Sequence, residues 1–400
     1  MFENIIGQEP VVSRLSTEIS ARILPATLMF HGPDYTGKSS TALELARALT
    51  CTGEDRTVPW NCKCRSCEQQ RHLLHLDTLM LGGRYFNREI AIAADALKRD
   101  QRGPLRYLFE RTIRKLARRF DPVLWEGEEK RLRKVEPLLS ELDEKLDPFL
   151  PGSDLPSEDQ LVDGIDGVVQ TCEKIGSAVA LDTVPVNTVR RLSAWAHLSP
   201  SGRAKIAIIE NVDRLQDSAR NALLKTLEEP PANVYFVLTT QRLGAVIATI
   251  RSRSRSYGFL TRGPEQSAAV ISRIFRDSPG SNPSIRDYFV SKDGQGLRSL
   301  AERYLENVVA ESTIELGLLD EINQTIGNLG GAEGFRYFVE EVSLLMETLL
   351  RANETEDVGV PVRTLARWRV LLGSALTRFE SYNTSATMAL EGLFYGMREA

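Results

Sequence analysis

Residues Gly32-Pro33-Asp34-Tyr35-Thr36-Gly37-Lys38-Ser39 spell a complete G-x-x-x-x-G-K-[ST] phosphate loop. That pattern needs a strand before it and a helix N-terminus after it. Both are readable. Thr27-Leu28-Met29-Phe30 reads as a strand, and Ala42, Leu43, Leu45, Ala46 and Leu49 recur at helical spacing. Gly32 and Gly37 let backbone N–H groups converge on a phosphate at the positive end of the helix. Lys38 would neutralise phosphate charge, and Ser39, followed by Ser40, would offer a hydroxyl to Mg²⁺. A chance glycine turn is the alternative, and the flanking elements argue against it.

The run Lys205 to Ile209 is short, apolar and rich in β-branched residues, as a central parallel strand should be, and Val234 to Leu238 repeats the pattern after a helix over 218–228. Strands alternating with helices predict an α/β sheet covered on both faces. The first of these strands ends in Glu210-Asn211. In a phosphoryl-transfer site a carboxylate here holds the magnesium shell and a neighbour positions the attacking water. Glu210 suits the first role, whereas Asn211 cannot take a proton. General-base help worth about 10²–10⁴ in rate should therefore be missing, unless Asp213 moves in.

Four hundred residues are enough for two or three domains. Beyond about residue 262 the strand signal fades, and 265–276, 284–306, 314–328, 334–352 and 362–380 read as helices. Breaks fall at Pro279–Pro283 and Asn353–Pro361. The middle, about 84–181, reads as an inserted helical hairpin or bundle. Leu105, Phe109, Ile113, Leu116 and Phe120 form an apolar stripe opposite Arg111, Arg114, Lys115, Arg118 and Arg119. A second seam carries Leu132, Val135, Leu139, Leu142 and Leu146. The basic face is expected either to be solvated, pairing with acids such as Glu136, Glu141 and Asp143, or to touch DNA phosphates. A net charge of −4 excludes a uniformly basic surface. No apolar run reaches the length of a membrane span, and no basic leader precedes an apolar stretch, so the cytoplasm is the expected compartment. Cys51, Cys62, Cys64 and Cys67 crowd together while Cys172 stands alone, which in that compartment points to metal rather than disulfides.

The stretch Asn221-Ala222-Leu223-Leu224-Lys225-Thr226-Leu227-Glu228-Glu229-Pro230-Pro231, the later Arg251-Ser252-Arg253-Ser254-Arg255 and the early Ile5-Ile6-Gly7-Gln8 resemble the AAA+ clamp-loader subunits of bacterial DNA polymerase III. The resemblance is strong over 1–83 and 182–260, weak in the helical C-terminal part, and carries nothing for 84–181. Near the end, Asn383, Ala389, Leu390 and Glu391 look like the last helix of the family's collar domain. It implies a P-loop AAA+ α/β domain over 1–260, with a zinc module at 51–75 and the insertion at 84–181. An all-helical lid over 261–306 and an all-helical collar over 307–400 would follow. It also implies ATP and Mg²⁺ bound by the loop together with Gly7, Gln8 and Glu210, with Thr239 or Thr240 as a first nucleotide sensor and Arg298 as a second.

The family has a gamma/tau type that hydrolyses ATP and a delta-prime type that braces and triggers the complex. Glu210-Asn211 stands where the ATPase type has Asp-Glu, which favours the delta-prime type. Arg253, in Ser252-Arg253-Ser254, inherits the role of an arginine finger reaching a neighbour's ATP, and a solvated basic turn is the plainer alternative. The expected chain holds ATP without hydrolysing it and has little turnover of its own. It would work with gamma/tau and delta partners on the sliding clamp and primed DNA within the DNA polymerase III holoenzyme. A gamma/tau-type ATPase or an independent AAA+ remodeller are the rivals. The cysteine cluster resembles the family's zinc module, although Cys62-Lys63-Cys64-Arg65-Ser66-Cys67 is one residue short of the family spacing. His72 or His75 would be available if one thiolate were badly aimed.

Overall fold

A computed structural model of the chain describes residues 1–55, 57–84, 86–179, 184–281, 283–293, 295–310, 316–329, 331–353, 360–382 and 385–400. Five parallel strands form one sheet: β1 Thr27–His31, β2 Thr78–Gly82, β3 Lys205–Glu210, β4 Val234–Thr240 and β5 Arg255–Gly258, in the order β2-β3-β4-β1-β5. Strands buried on both faces read as continuous apolar runs, which is why β1, β3 and β4 are visible in the sequence. Successive residues still point to opposite faces. Met29, Ala207, Ile209, Phe236 and Leu238 enter one core, while Leu28, Phe30, Ile206, Ile208 and Val237 enter the other.

The second of these cores lies against helix α1, Glu9–Ser20, and helix α2, Lys38–Thr50, through Leu15, Ala42, Leu43, Leu45 and Ala46. A short helix α3, Arg65–Arg71, ends the cysteine-rich stretch. The first core takes in helix α4, Asn87–Arg99, and helix α5, Gly103–Ala117, with the whole stripe from Phe109 through Phe120 buried. The segment around residues 122–178 joins this same core through Val135, Leu142, Leu146, Ile165 and Val168, rather than closing on a core of its own. Its second seam is broken between Glu129–Leu132 and Glu136–Leu146, leaving Leu132 and Leu139 only partly buried.

The chain divides into two compact units, Met1–Phe289 and Val290–Ala400, so the division falls inside the stretch expected as a lid. In the first unit Val270, Ile271, Phe275, Tyr288 and Phe289 pack with Ile92 of α4. The second unit is helical over Gln295–Val309, Leu316–Asn328, Ala332–Asn353, Val362–Tyr382 and Ala386–Arg398. It closes on a core in which the buried Tyr304 hydroxyl donates to the Leu390 carbonyl at 2.9 Å and Trp368 Nε1 donates to the Met397 carbonyl at 2.6 Å. The expected helix starts at 314 and 315, Asn282 in the first break, most of the Asn353–Pro361 break, Leu181 at the end of the middle segment and Asn383 lie outside the described residues. Among the described residues no helix is long and apolar enough to cross a membrane.

Candidate nucleotide and metal sites

Ligands of open parallel sheets bind outside the carboxyl ends of the strands, and every candidate nucleotide-site residue except Arg298 lies in the unit that carries this sheet. Gly32 leaves β1 with φ 144°, where a Cβ would drive into the Phe259 carbonyl. Gly37 caps α2 in the left-handed region at φ 91°. Lys38 is buried and turns back on the loop, its Nζ donating to the carbonyls of Gly32, at 2.6 Å, and Pro33. Ser40 is exposed on the same helix. Gln8 pins the N-terminal segment to the strand end by a two-way bond with Leu260, its Nε2 donating to the carbonyl at 2.7 Å and its Oε1 accepting from the N–H at 3.1 Å. Gly7, with φ 73°, donates its N–H to Glu9.

Burial pushes the Lys38 ammonium down to about 8, with Asp34 opposing the shift and Arg84 reinforcing it. An anion on the loop favours the protonated lysine and restores its charge. Affinity for inorganic pyrophosphate should therefore be greatest below pH 8 and fall as pH rises past it. Calorimetric titration across about pH 7–9 checks this, and a flat profile would refute it.

Glu210 is 2% exposed and ends β3 as expected, but its carboxylate is already engaged. The Ser39 hydroxyl and Arg84 Nη1 donate to Oε1, the latter at 2.7 Å, and Arg119 Nη2 donates to Oε2. Arg84 Nη1 also lies 3.1 Å from Ser39 Oγ, and its Nη2 donates to Glu89 at 2.6 Å, a carboxylate shared with Lys115. Both guanidiniums face the Phe86 ring, at 5.4 and 5.3 Å from its centroid. Burial alone would push the Glu210 carboxyl up. The two guanidiniums and the Ser39 hydroxyl outweigh it and hold the group well below the ordinary carboxylate range.

The magnesium expected between Ser39 and Glu210 does not fit this donor set. Its two side-chain ligands already bond guanidiniums, and unit charges about 4 Å apart repel by about 4 kcal/mol at an effective dielectric of about 20. A dication would be worse still.

Asn211 sits at φ 51°, a backbone region asparagine tolerates. Its Nδ2 donates to the Gly83 carbonyl at 2.8 Å and its N–H to Thr239 Oγ1 at 3.3 Å. Asp213 is not a spare base: it accepts from the Thr240 hydroxyl at 2.7 Å and pairs with Arg242 at 3.5 Å. Both candidate first-sensor threonines thus have partners within the site. Arg298 pairs with Glu302 at 3.3 Å on the helix Gln295–Val309 of the second unit.

Arg84, Arg119 and Arg262 have no place in the sequence-based site. Arg262 lies over the loop, donating to the carbonyls of Ile6, at 2.8 Å, and Tyr35. The basic face of α5 turns inward rather than to solvent or DNA, and the expected pairing with acids is made with Glu89, Glu110 and Asp121 instead of Glu136, Glu141 and Asp143. Arg111 donates to the Gln70 and Arg71 carbonyls at the C-terminal end of α3, at 3.1 and 2.9 Å, a favourable place for a cation. Arg118 reaches the carbonyls of His75, at 3.1 Å, and Thr78. Arg114 pairs with buried Glu110 at 2.8 Å.

Arg253 is at the C-terminal end of Ala248–Ser252, with its side chain 34% exposed and Nη2 donating to Glu228 at 2.8 Å. Glu228 ends the helix that carries Asn221 to Leu227. Exposed pairs of this kind are worth about 0–1 kcal/mol, so the guanidinium is easily surrendered to another anion.

The four clustered cysteine Sγ atoms all lie within 4.8 Å of one another, with Cys51 at 3.8 Å from both Cys62 and Cys64. A tetrahedron with Zn–S bonds of about 2.3 Å has edges of about 3.8 Å, so the set fits one zinc ion. Cys64 caps α3, accepting from the Cys67 N–H at 3.4 Å, and Gly53 N–H points at Cys51 Sγ at the same distance. Neither histidine is needed: His72 bonds Glu110 at 2.7 Å, and His75 lies 3.0 Å from the Ser66 hydroxyl.

The parallel sheet, phosphate loop and helical second unit define a P-loop α/β protein of the AAA+ class. The sequence model of the family described as DNA polymerase III, delta subunit, matches residues 7–120 and 162–262, more than half of the chain, and the chain belongs to that family. The match runs through 84–120 and 162–181, stretches expected to lack a counterpart, and leaves only 121–161 of the middle outside it. The chain is 43% identical over 93 residues to the DNA polymerase III subunit delta' of Escherichia coli, covering 22% of this chain and 27% of that one. It is 34% identical over 91 residues to the gamma subunit of Buchnera aphidicola, and 30% identical over 119 residues to gamma/tau of Mycobacterium bovis, covering 20% and 27% of this chain and 25% and 21% of those proteins. The matches therefore span about a quarter of the length of these curated relatives.

Proposed function

We propose that this chain is a delta-prime-type subunit of the DNA polymerase III clamp loader. It braces an assembly of gamma/tau and delta-type partners, holds ATP without cleaving it, and offers Arg253 to the adjacent ATP site. Through those partners it supports loading of the sliding clamp onto primed DNA in the cytoplasm. The observation that carries this reading is the end of β3, where Glu210 is clamped by two guanidiniums, Asn211 is tethered to Gly83, and Asp213 faces Thr240 and Arg242. No carboxylate of that strand end is left to activate water. Residues 261–306 are assigned as lid, 307–400 as the collar that joins subunits, and Cys51, Cys62, Cys64 and Cys67 as the ligands of one structural zinc.

A gamma/tau-type role is the second reading, favoured by the intact loop and by the gamma relatives. ATP turnover of the assembled complex separates them. Arg253→Ala should lower the partners' turnover by about 10³-fold or more, whereas Lys38→Ala should spare it. Robust turnover by the purified chain alone would overturn the delta-prime reading.

A further inference from the structure

We propose that the phosphate loop takes a nucleoside di- or triphosphate as the metal-free anion, with the Arg84 guanidinium standing where magnesium would otherwise sit. This rests on the reading of the loop as a holding site and specifies the form of the ligand it holds.

Magnesium at a phosphate loop is held by the loop hydroxyl and a strand-end carboxylate. Arg84 Nη1 bridges those two groups, at 3.1 Å from Ser39 Oγ and 2.7 Å from Glu210 Oε1. The second carboxylate oxygen receives Arg119, which is buried, and the Ser39 proton is turned to Oε1. The clamp is built from several directions. Glu89 holds the far side of Arg84, Lys115 holds Glu89, and Phe86 lies against both guanidiniums. Octahedral magnesium at about 2.1 Å from its ligands would have to break both arginine contacts and dehydrate in their place. A guanidinium supplies positive charge and directed N–H donors without that demand, and planar forks suit phosphate oxygens. Arg119 Nε and Nη1 are buried donors with no hydrogen-bond partner among the described residues, so the cluster also holds donors in excess of its present acceptors.

Free magnesium would then compete with the protein for the same polyphosphate. ATP titrated calorimetrically into the full chain should bind at least as tightly in magnesium-free buffer, with no chelator to disturb the cysteine site, as in excess magnesium chloride. Arg84→Ala should reverse the order, losing about tenfold without magnesium and recovering affinity with it. Tightening of wild-type binding by magnesium of about threefold or more overturns the proposal. So does an Arg84→Ala protein that binds ATP without magnesium as well as wild type. Arg84→Gln repeats the variant test if thermal melting shows the alanine protein unfolded. Absence of ATP binding in both conditions also overturns it, together with the holding-site reading. The finger role of Arg253 would survive that result, since partner turnover reads it separately.

Discussion

Replacing Glu210 by Ala should destabilise the first unit by about 3–5 kcal/mol, the usual cost of removing one member of a buried ion pair. Arg119 is the reason. It is 4% exposed, and two of its nitrogens already have no hydrogen-bond partner among the described residues, so loss of Glu210 leaves a buried guanidinium with none of its donors satisfied there. Arg84 suffers less, because Glu89 still accepts from it. Arg84→Ala should accordingly cost less than Glu210→Ala, since Arg119 continues to neutralise the carboxylate. Urea denaturation followed by tryptophan fluorescence reads the effect well, because Trp60, Trp125 and Trp195 lie in the first unit and only Trp368 in the second. A loss under about 1 kcal/mol would show that the clamp is not built as described.

The pH dependence has a defined sign. Glu210 is held below its ordinary value of 4.5, so its contribution is fully present above that value. It is lost as pH falls below it toward the depressed one. The Glu210→Ala protein should therefore lose less further stability on acidification than wild type.

The phosphate loop, α2, β3 and β4 were legible because their signals are local: a motif of fixed spacing and unbroken apolar runs. β2 was not, since Thr78–Gly82 is five residues long and directly follows the cysteine-rich stretch. β5 was not either, because Arg255-Ser256-Tyr257-Gly258 lies at the sheet edge, where only Tyr257 is buried. The arginine clamp was missed for a different reason. A charged face opposite an apolar stripe ordinarily meets water, and only tertiary contact with Glu210, 91 residues away, brings Arg119 inside. Arg84 was hidden with β2, whose end positions it. Five basic residues between 111 and 119 in a chain of net charge −4 were the available hint that a buried acid needed them. The shortened cysteine spacing left the aim of the thiolates open, and the turn of chain at Cys64 that caps α3 brings its sulfur back to the other three.

Metal removal should have a comparably large effect. The purified chain should contain about one zinc, and chelation should unfold the segment from Cys51 to Arg71, because structural zinc contributes roughly 10–16 kcal/mol in small finger peptides. That segment has almost no core of its own: its buried apolar cluster is Cys51, Val58 and Cys67. The rest is polar wiring. Buried Arg47 donates to the Pro59 and Val58 carbonyls, both at 3.0 Å, and reaches Cys67 Sγ at 3.7 Å, while Arg71 donates to the carbonyls of Trp60 and Cys62 at 2.8 and 2.7 Å. Such bonds hold a shape that something else has set, and four thiolates closing on one ion would set it. Loss should also travel. Arg111 and Arg118 attach α5 and the turn after it to the carbonyls of residues 70, 71, 75 and 78, and the neighbouring Arg119 clamps Glu210. Chelated protein should therefore show faster proteolysis across 51–71 and weaker ATP binding together. Zinc well below one per chain in atomic absorption, or an unchanged proteolysis pattern after chelation, would remove the metal from this account.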